Sequence, residues 1–103
     1  MFLVLWEFDV KPGCDEQFES VYGPGGDWAQ LFRPDPAYQR TLLLCDPFRD
    51  DTYVTCDFWE SEKAYESFRQ TYSDAYLALD KKFEQLSLAE RKIGAFEKLA
   101  HNE

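Results

Sequence analysis

The chain has 103 residues, the length of one domain, and a formal charge of −9 from 20 acidic and 11 basic side chains. That acidity argues against nucleic acid and anionic membrane surfaces as partners, since both require basic patches. Aromatic residues make up 17% of the chain, which calls for either a large subunit interface or a ring-lined pocket, and no apolar run nears the roughly 20 residues of a membrane span.

Residues 2–10 alternate, with Phe2, Val4, Trp6, Phe8 and Val10 on one face and Leu3, Leu5, Glu7 and Asp9 on the other. Period two predicts a strand, and the apolar start of the second face predicts cover on both sides. The same stretch lacks a basic leader region and a cleavage site, so it reads as structure rather than as a signal peptide. Pro12 and Gly13 then turn the chain. Asp15 and Glu16 suit the first turn of a helix that carries Phe18, Val21 and Tyr22 at helical spacing. Gly23 and Pro24 end it. Asp27, with Gln30 three residues on, has the spacing of a capping box and restarts a short helix, which Pro34 and Pro36 terminate. Trp28 sits in its first turn and has two possible directions, inward to a pocket or outward to an interface. The neighbouring Gly25 and Gly26 make this break the expected mobile lid.

Residues 37–45 and 52–60 are β-rich and flank the turn cluster "DPFRDD", which predicts a hairpin. Centring it near Phe48 and Arg49 sets Cys45 opposite Thr52. Cys56 then lies about 13 Å further along, too far for a disulfide. By strand parity Tyr53, Thr55, Asp57 and Trp59 share a face. Ser61 caps the next helix. Tyr65, Phe68, Tyr72, Tyr76, Leu79, Phe83 and Leu86 step by three or four, one stripe about 25 residues long with a possible bend at Ser73 and Asp74. Residues 91–99 predict a fourth strand, with Ile93 and Ala95 on one face and Phe96 on the other.

Three cysteines with no CxxC spacing fit free thiols in a reducing compartment, so the expected location is the cytoplasm. The one histidine, His101, lies near the C-terminus, away from any cysteine or serine that could use it as a base. No metal-ligand cluster, phosphate loop or dinucleotide motif is visible, so no metal and no cofactor are expected.

The order β-α(broken)-β-β-α-β predicts a single α+β domain over residues 1–103, a ferredoxin-like four-stranded antiparallel sheet with helices on one face. The other face carries enough apolar residues to need covering. A second copy of the chain is the available cover, which predicts a homodimer packed through its sheets.

At "DFWESEKAYESF", and above all at Trp59, Glu60, Ser61, Glu62, Ala64 and Tyr65, the chain resembles the antibiotic biosynthesis monooxygenase superfamily of dimeric α+β barrels. "VLWEFDVKPG", "YGPGGDWAQLF" and "RKIGAFE" sit where such proteins have theirs, so the resemblance spans nearly the whole chain. It implies either cofactor-free oxygenation of phenolic polycycles or haem degradation, in a superfamily many of whose members have no known activity. Against the quinone-forming oxygenases, Trp59 and Tyr65 match, an asparagine becomes Thr55, and a helical arginine falls near Leu79, with Lys81 and Lys82 out of register. Against the haem degraders, a tryptophan becomes Phe68, the ligating histidine falls near Ala78, and the strand-one asparagine has no counterpart. Haem degradation is therefore not expected.

Cofactor-free oxygenation needs an acidic phenol or enol to lose a proton and its carbanion to pass an electron to O₂. The donors on offer are the Trp59 indole N–H, the Tyr65 and Tyr53 phenols and the Thr55 hydroxyl, with Asp57 as base if burial raises its pKa. Trp28, Tyr53, Phe68 and Tyr72 are the expected pocket walls for a small aromatic or enolisable substrate. The alternative is a non-catalytic ligand-binding or purely structural dimer, in which Trp59 and Tyr65 only pack a strand–helix corner.

Overall fold

The computed structural model describes residues 1–102. β1 (Phe2–Val10) is followed by α1 (Asp15–Tyr22), α2 (Asp27–Phe32), β2 (Tyr38–Cys45) and β3 (Thr52–Trp59). α3 (Glu62–Thr71), α4 (Ser73–Phe83), a short 3₁₀ turn at Glu84–Leu86 and β4 (Ser87–Glu97) complete the chain. The four strands form one antiparallel sheet in the order β2-β3-β1-β4. This is the ferredoxin-like α+β arrangement, with β1 and β3 in the middle.

The alternation of β1 sorts the two faces as expected. Phe2, Val4, Phe8 and Val10 are buried toward the helices, while Leu3 and Leu5 are half-buried on the opposite face. On the helix side Phe18 and Tyr22 stack with ring centroids 4.2 Å apart, and Phe8 meets both. On the open face Leu42, Leu44 and Phe96 stay exposed, and Phe58 is covered by the Arg40 guanidinium, 4.4 Å above its ring.

Several local expectations need correction, and one holds: the stripe from Tyr65 to Leu86 bends where Ser73 and Asp74 offered a bend, since Tyr72, with φ −111° and ψ 31°, leaves the helical region and α4 restarts at Ser73. The stripe can then follow the sheet by changing axis instead of running off it. Asp27 is the first helical residue rather than the cap; Gly26 occupies the cap position and no side chain caps that end. Gln30 instead reaches back, its Nε2 donating to the Gly25 carbonyl at 3.0 Å, and Arg33 Nη2 donates to the Pro24 carbonyl at 3.0 Å. These two bonds brace the break and Gly26 is buried, contacts that favour a held corner over the lid that the glycines suggest. The hairpin is displaced by one residue: Cys45 pairs with Tyr53 and Thr41 with Asp57. β4 starts at Ser87, earlier than its apolar pattern suggests, and carries a bulge where pairing jumps from Gly94 opposite Leu5 to Lys92 opposite Trp6. Gly94 takes a φ of +157° there, a conformation that favours glycine. All three cysteines are free.

Ser61 caps α3 as expected, its Oγ accepting from the Ala64 N–H at 3.1 Å. Ser61→Ala is expected to lower unfolding free energy by about 1 kcal/mol in urea titration, with Ser61→Asn close to wild type.

Candidate active site

The helix-facing sheet surface and the four helices line a half-open cavity of about 190 Å³. Its floor is Trp6 and Phe8 of β1, Thr41 of β2 and Thr55 and Asp57 of β3. Its roof is Tyr22, Trp28 and Phe32 from the first helical pair and Tyr65, Arg69 and Tyr76 from the second. Leu77, Asp80 and Glu90 complete the lining, and Leu77 and Glu90 are exposed.

The broken helix produces this roof. Turning the chain at Gly26 swings α2 so that its first turn faces the sheet. Trp28 therefore points inward, only 8% exposed, with its ring 4.9 Å from Tyr76 and 5.9 Å from Phe32. Its indole N–H is buried without a hydrogen-bond acceptor. Burial pushes the adjacent Tyr22 phenol up to about 12, and the approach of the Trp28 N–H to its oxygen, short of a hydrogen bond of ordinary geometry, opposes that rise more weakly.

Asp57 is the central titratable group. It lies mid-strand on β3, faces the cavity and is otherwise enclosed by protein. Burial pushes its carboxyl up to about 6, and the one bond opposing that rise comes from Thr41 Oγ1, which donates to Oδ1 at 2.6 Å. Because the Thr41 proton is committed to Asp57, the 2.6 Å contact between Tyr38 and Thr41 has the tyrosine as donor. A relay Tyr38–Thr41–Asp57 thus holds the carboxyl in one orientation. Such a group is a proton acceptor once ionised and a donor below its pKa.

Tyr65 and Arg69, one helical turn apart on α3, form the second polar element. Arg69 Nη1 donates to the Tyr65 hydroxyl oxygen at 2.9 Å, leaving the phenolic hydrogen free for another acceptor. The guanidinium also lies 4.0 Å above the Tyr76 ring.

Of the residues singled out from sequence, Asp57, Thr55, Tyr65 and Trp28 come together in the lining. Trp59 does not line it. Fully buried, it packs behind the wall against Phe32, Tyr38, Tyr65 and Phe68, and its indole N–H also lacks an acceptor. Phe68 is buried in the same layer, and Tyr72, 48% exposed, stacks on its outer side. Tyr53 shares the face but lies four residues along the strand from Asp57. Its hydroxyl donates its one hydrogen to Glu19 at 2.6 Å, with an Asp15 carboxylate oxygen 3.0 Å away, which ties it to α1. Sequence reasoning missed Thr41 and Arg69. Arg69 had a legible signal, since positions four apart on a helix share a face and Tyr65 was already singled out.

No curated protein sequence matches the chain. Among solved structures, SnoaB, a cofactor-independent oxygenase from Streptomyces nogalater, superposes with a TM-score of 0.75 at 23% identity, covering 99% of this chain and 97% of that one. A proposed antibiotic biosynthesis monooxygenase from Caulobacter crescentus gives 0.76 at 17% identity over 95% of this chain and 89% of that one. A Pseudomonas aeruginosa protein gives 0.66 at 17% identity over 96% and 94%. At these identities the likeness is one of fold. The sequence profile described as antibiotic biosynthesis monooxygenase matches residues 1–82, most of the chain, and with it the protein belongs to that family.

Proposed function

We propose that this protein is a cofactor-free monooxygenase acting on a small aromatic or enolisable substrate, a quinone precursor. The observation that carries the reading is Asp57, a carboxyl raised to about 6 by burial in the wall of a ring-lined cavity. Family membership supports the reaction class. In the proposed sequence Asp57 takes a proton from the substrate. The Thr55 hydroxyl, the Tyr65 phenol and the Trp28 N–H can then face the resulting anion. The anion passes one electron to O₂, the two radicals combine to a peroxide anion that takes the proton back from Asp57, and loss of water, which carries off the remaining hydrogen of the oxygenated carbon, leaves a carbonyl. One oxygen atom ends in the product and the other in water.

Trp59 enters this reading as a support, because it backs both Tyr65 and Phe32 without reaching the cavity. The working unit is a homodimer in which a second copy covers Leu42, Leu44 and Phe96 on the open sheet face. Its location is the cytoplasm, a reducing compartment that suits three free cysteines.

Oxygen uptake with a panel of phenols and naphthols, compounds of one and two rings, tests the activity. Wild type is expected to exceed the buffer rate for at least one compound, with Tyr65→Phe slower by about tenfold and Trp59→Phe nearer wild type. Uptake at the buffer rate across the panel, or uptake unchanged in Tyr65→Phe and in Asp57→Asn, removes the proposal. Light scattering at micromolar concentration tests the dimer, and a monomer there counts against it.

A further inference from the structure

We infer that the cavity binds a small ring compound of one or two rings as its monoanion, with the ionised oxygen held by Arg69. The inference rests on reading this cavity as the ligand site. Arg69 differs from Arg49 and Arg91, each of which has carboxylate oxygens within 3.0 Å. Among the described residues no carboxylate lies within ion-pair distance of Arg69, and its one hydrogen bond to a side chain goes to the neutral Tyr65 hydroxyl. A guanidinium carries five N–H donors and stays charged, so a half-buried one with a single bond has unused donor capacity facing the cavity.

The Trp28 N–H, in a side chain more than nine-tenths buried, lies near the Tyr22 oxygen but makes no hydrogen bond of ordinary geometry, so it remains open to a ligand oxygen in the same lining. An unpartnered buried donor is costly, and a ligand oxygen relieves that cost. Both groups therefore ask for acceptor oxygens. The acids in the lining limit the charge: Asp57, Asp80 and Glu90 disfavour a second anionic group. Glu90 is exposed as a whole residue, but partial desolvation of its carboxyl, and then Asp80 and Glu84, hold that group above its ordinary range. Size gives the remaining limit. A cavity of about 150 Å³ holds one benzene, so 190 Å³ holds one ring with substituents or a compact pair within its walls.

The test is calorimetric binding under anaerobic conditions, where no turnover occurs. The probes are lawsone, a two-ring hydroxyquinone ionised at neutral pH, and its neutral methyl ether. Wild type is expected to bind lawsone at least about tenfold more tightly than the ether, about 1.4 kcal/mol. Arg69→Met is expected to bring the two affinities together, with the larger loss on lawsone. Equal affinities in wild type, a preference that survives Arg69→Met, or no binding of either probe at millimolar concentration each overturn the inference. The wild-type comparison holds even if the variant fails to fold. Oxygen uptake without the lawsone preference would remove Arg69's role alone. The preference without uptake would leave a ligand site and remove the oxygenase.

Discussion

Asp57→Asn is expected to cost at least about 100-fold in oxygen uptake while making the protein more stable at pH 8. The two effects have one cause. In the folded chain the carboxyl titrates near 6 against an ordinary 3.8, so between those values the native state holds a proton that the unfolded chain has released. Stability therefore falls as pH rises from about 4 through about 6, and above 6 the fold carries the cost of a buried charge. The rise corresponds to about 3 kcal/mol. Solvent reaching the cavity mouth reduces this, and an expected gain for the variant is about 2 kcal/mol at pH 8, closing toward zero near pH 4. Asn keeps an oxygen for the Thr41 hydroxyl, so the relay's geometry survives and the lost charge is the variable tested. Wild-type uptake should climb with pH through about 6 and then level as Asp57 becomes a base, and the variant should lack that limb. Thermal melting at pH 4.5 and pH 8 beside a pH–rate profile reads all of this. Equal melting shifts at both pH values would mean that the carboxyl is not held in a buried state, and a variant with wild-type uptake would place the base elsewhere.

Gly26→Ala is expected to lose about 3 kcal/mol of unfolding free energy, while Gly25→Ala stays within about 0.5 kcal/mol of wild type. The adjacent glycines differ in what surrounds them. A Cβ on Gly26 would lie 2.3 Å from the Val21 carbonyl oxygen and 2.4 Å from that of Ser20, whereas a Cβ on Gly25 meets nothing within 4 Å. Carbonyls in the last turn of α1 cannot swing aside without unwinding it, so the alanine must push α2 outward. That movement withdraws Trp28 from Tyr76 and opens the roof. Urea unfolding of the pair measures the difference. Similar midpoints for the two variants would show that the corner yields, returning it to the mobile lid that its glycines suggest.

Much of the fold was legible because it depends on local periods. The alternation in β1, the Gly23–Pro24 stop and the Ser61 cap are interactions between near neighbours in the chain, and each predicted element exists close to its expected place. β4 was the weakest, since residues 87–90 pair with β1 through their backbone and have no apolar alternation to announce it. The candidate site was half legible. Parity put Asp57 and Thr55 on the correct face, and the same parity included Tyr53 and Trp59, because a period-two rule says which side a residue faces and not where along the strand a cavity begins.

What the sequence determined alone is the list of elements, their order and the amphipathic faces, since backbone sterics and side-chain spacing act over a few residues. Tertiary structure decided the rest. A one-residue displacement of the hairpin puts Thr41 rather than Arg40 opposite Asp57. A cation there would have lowered the carboxyl's pKa, whereas a hydroxyl leaves burial to dominate. The inward turn of Trp28 likewise follows from how closely α1 and α2 meet at Gly26, a contact between backbones that no side-chain pattern records.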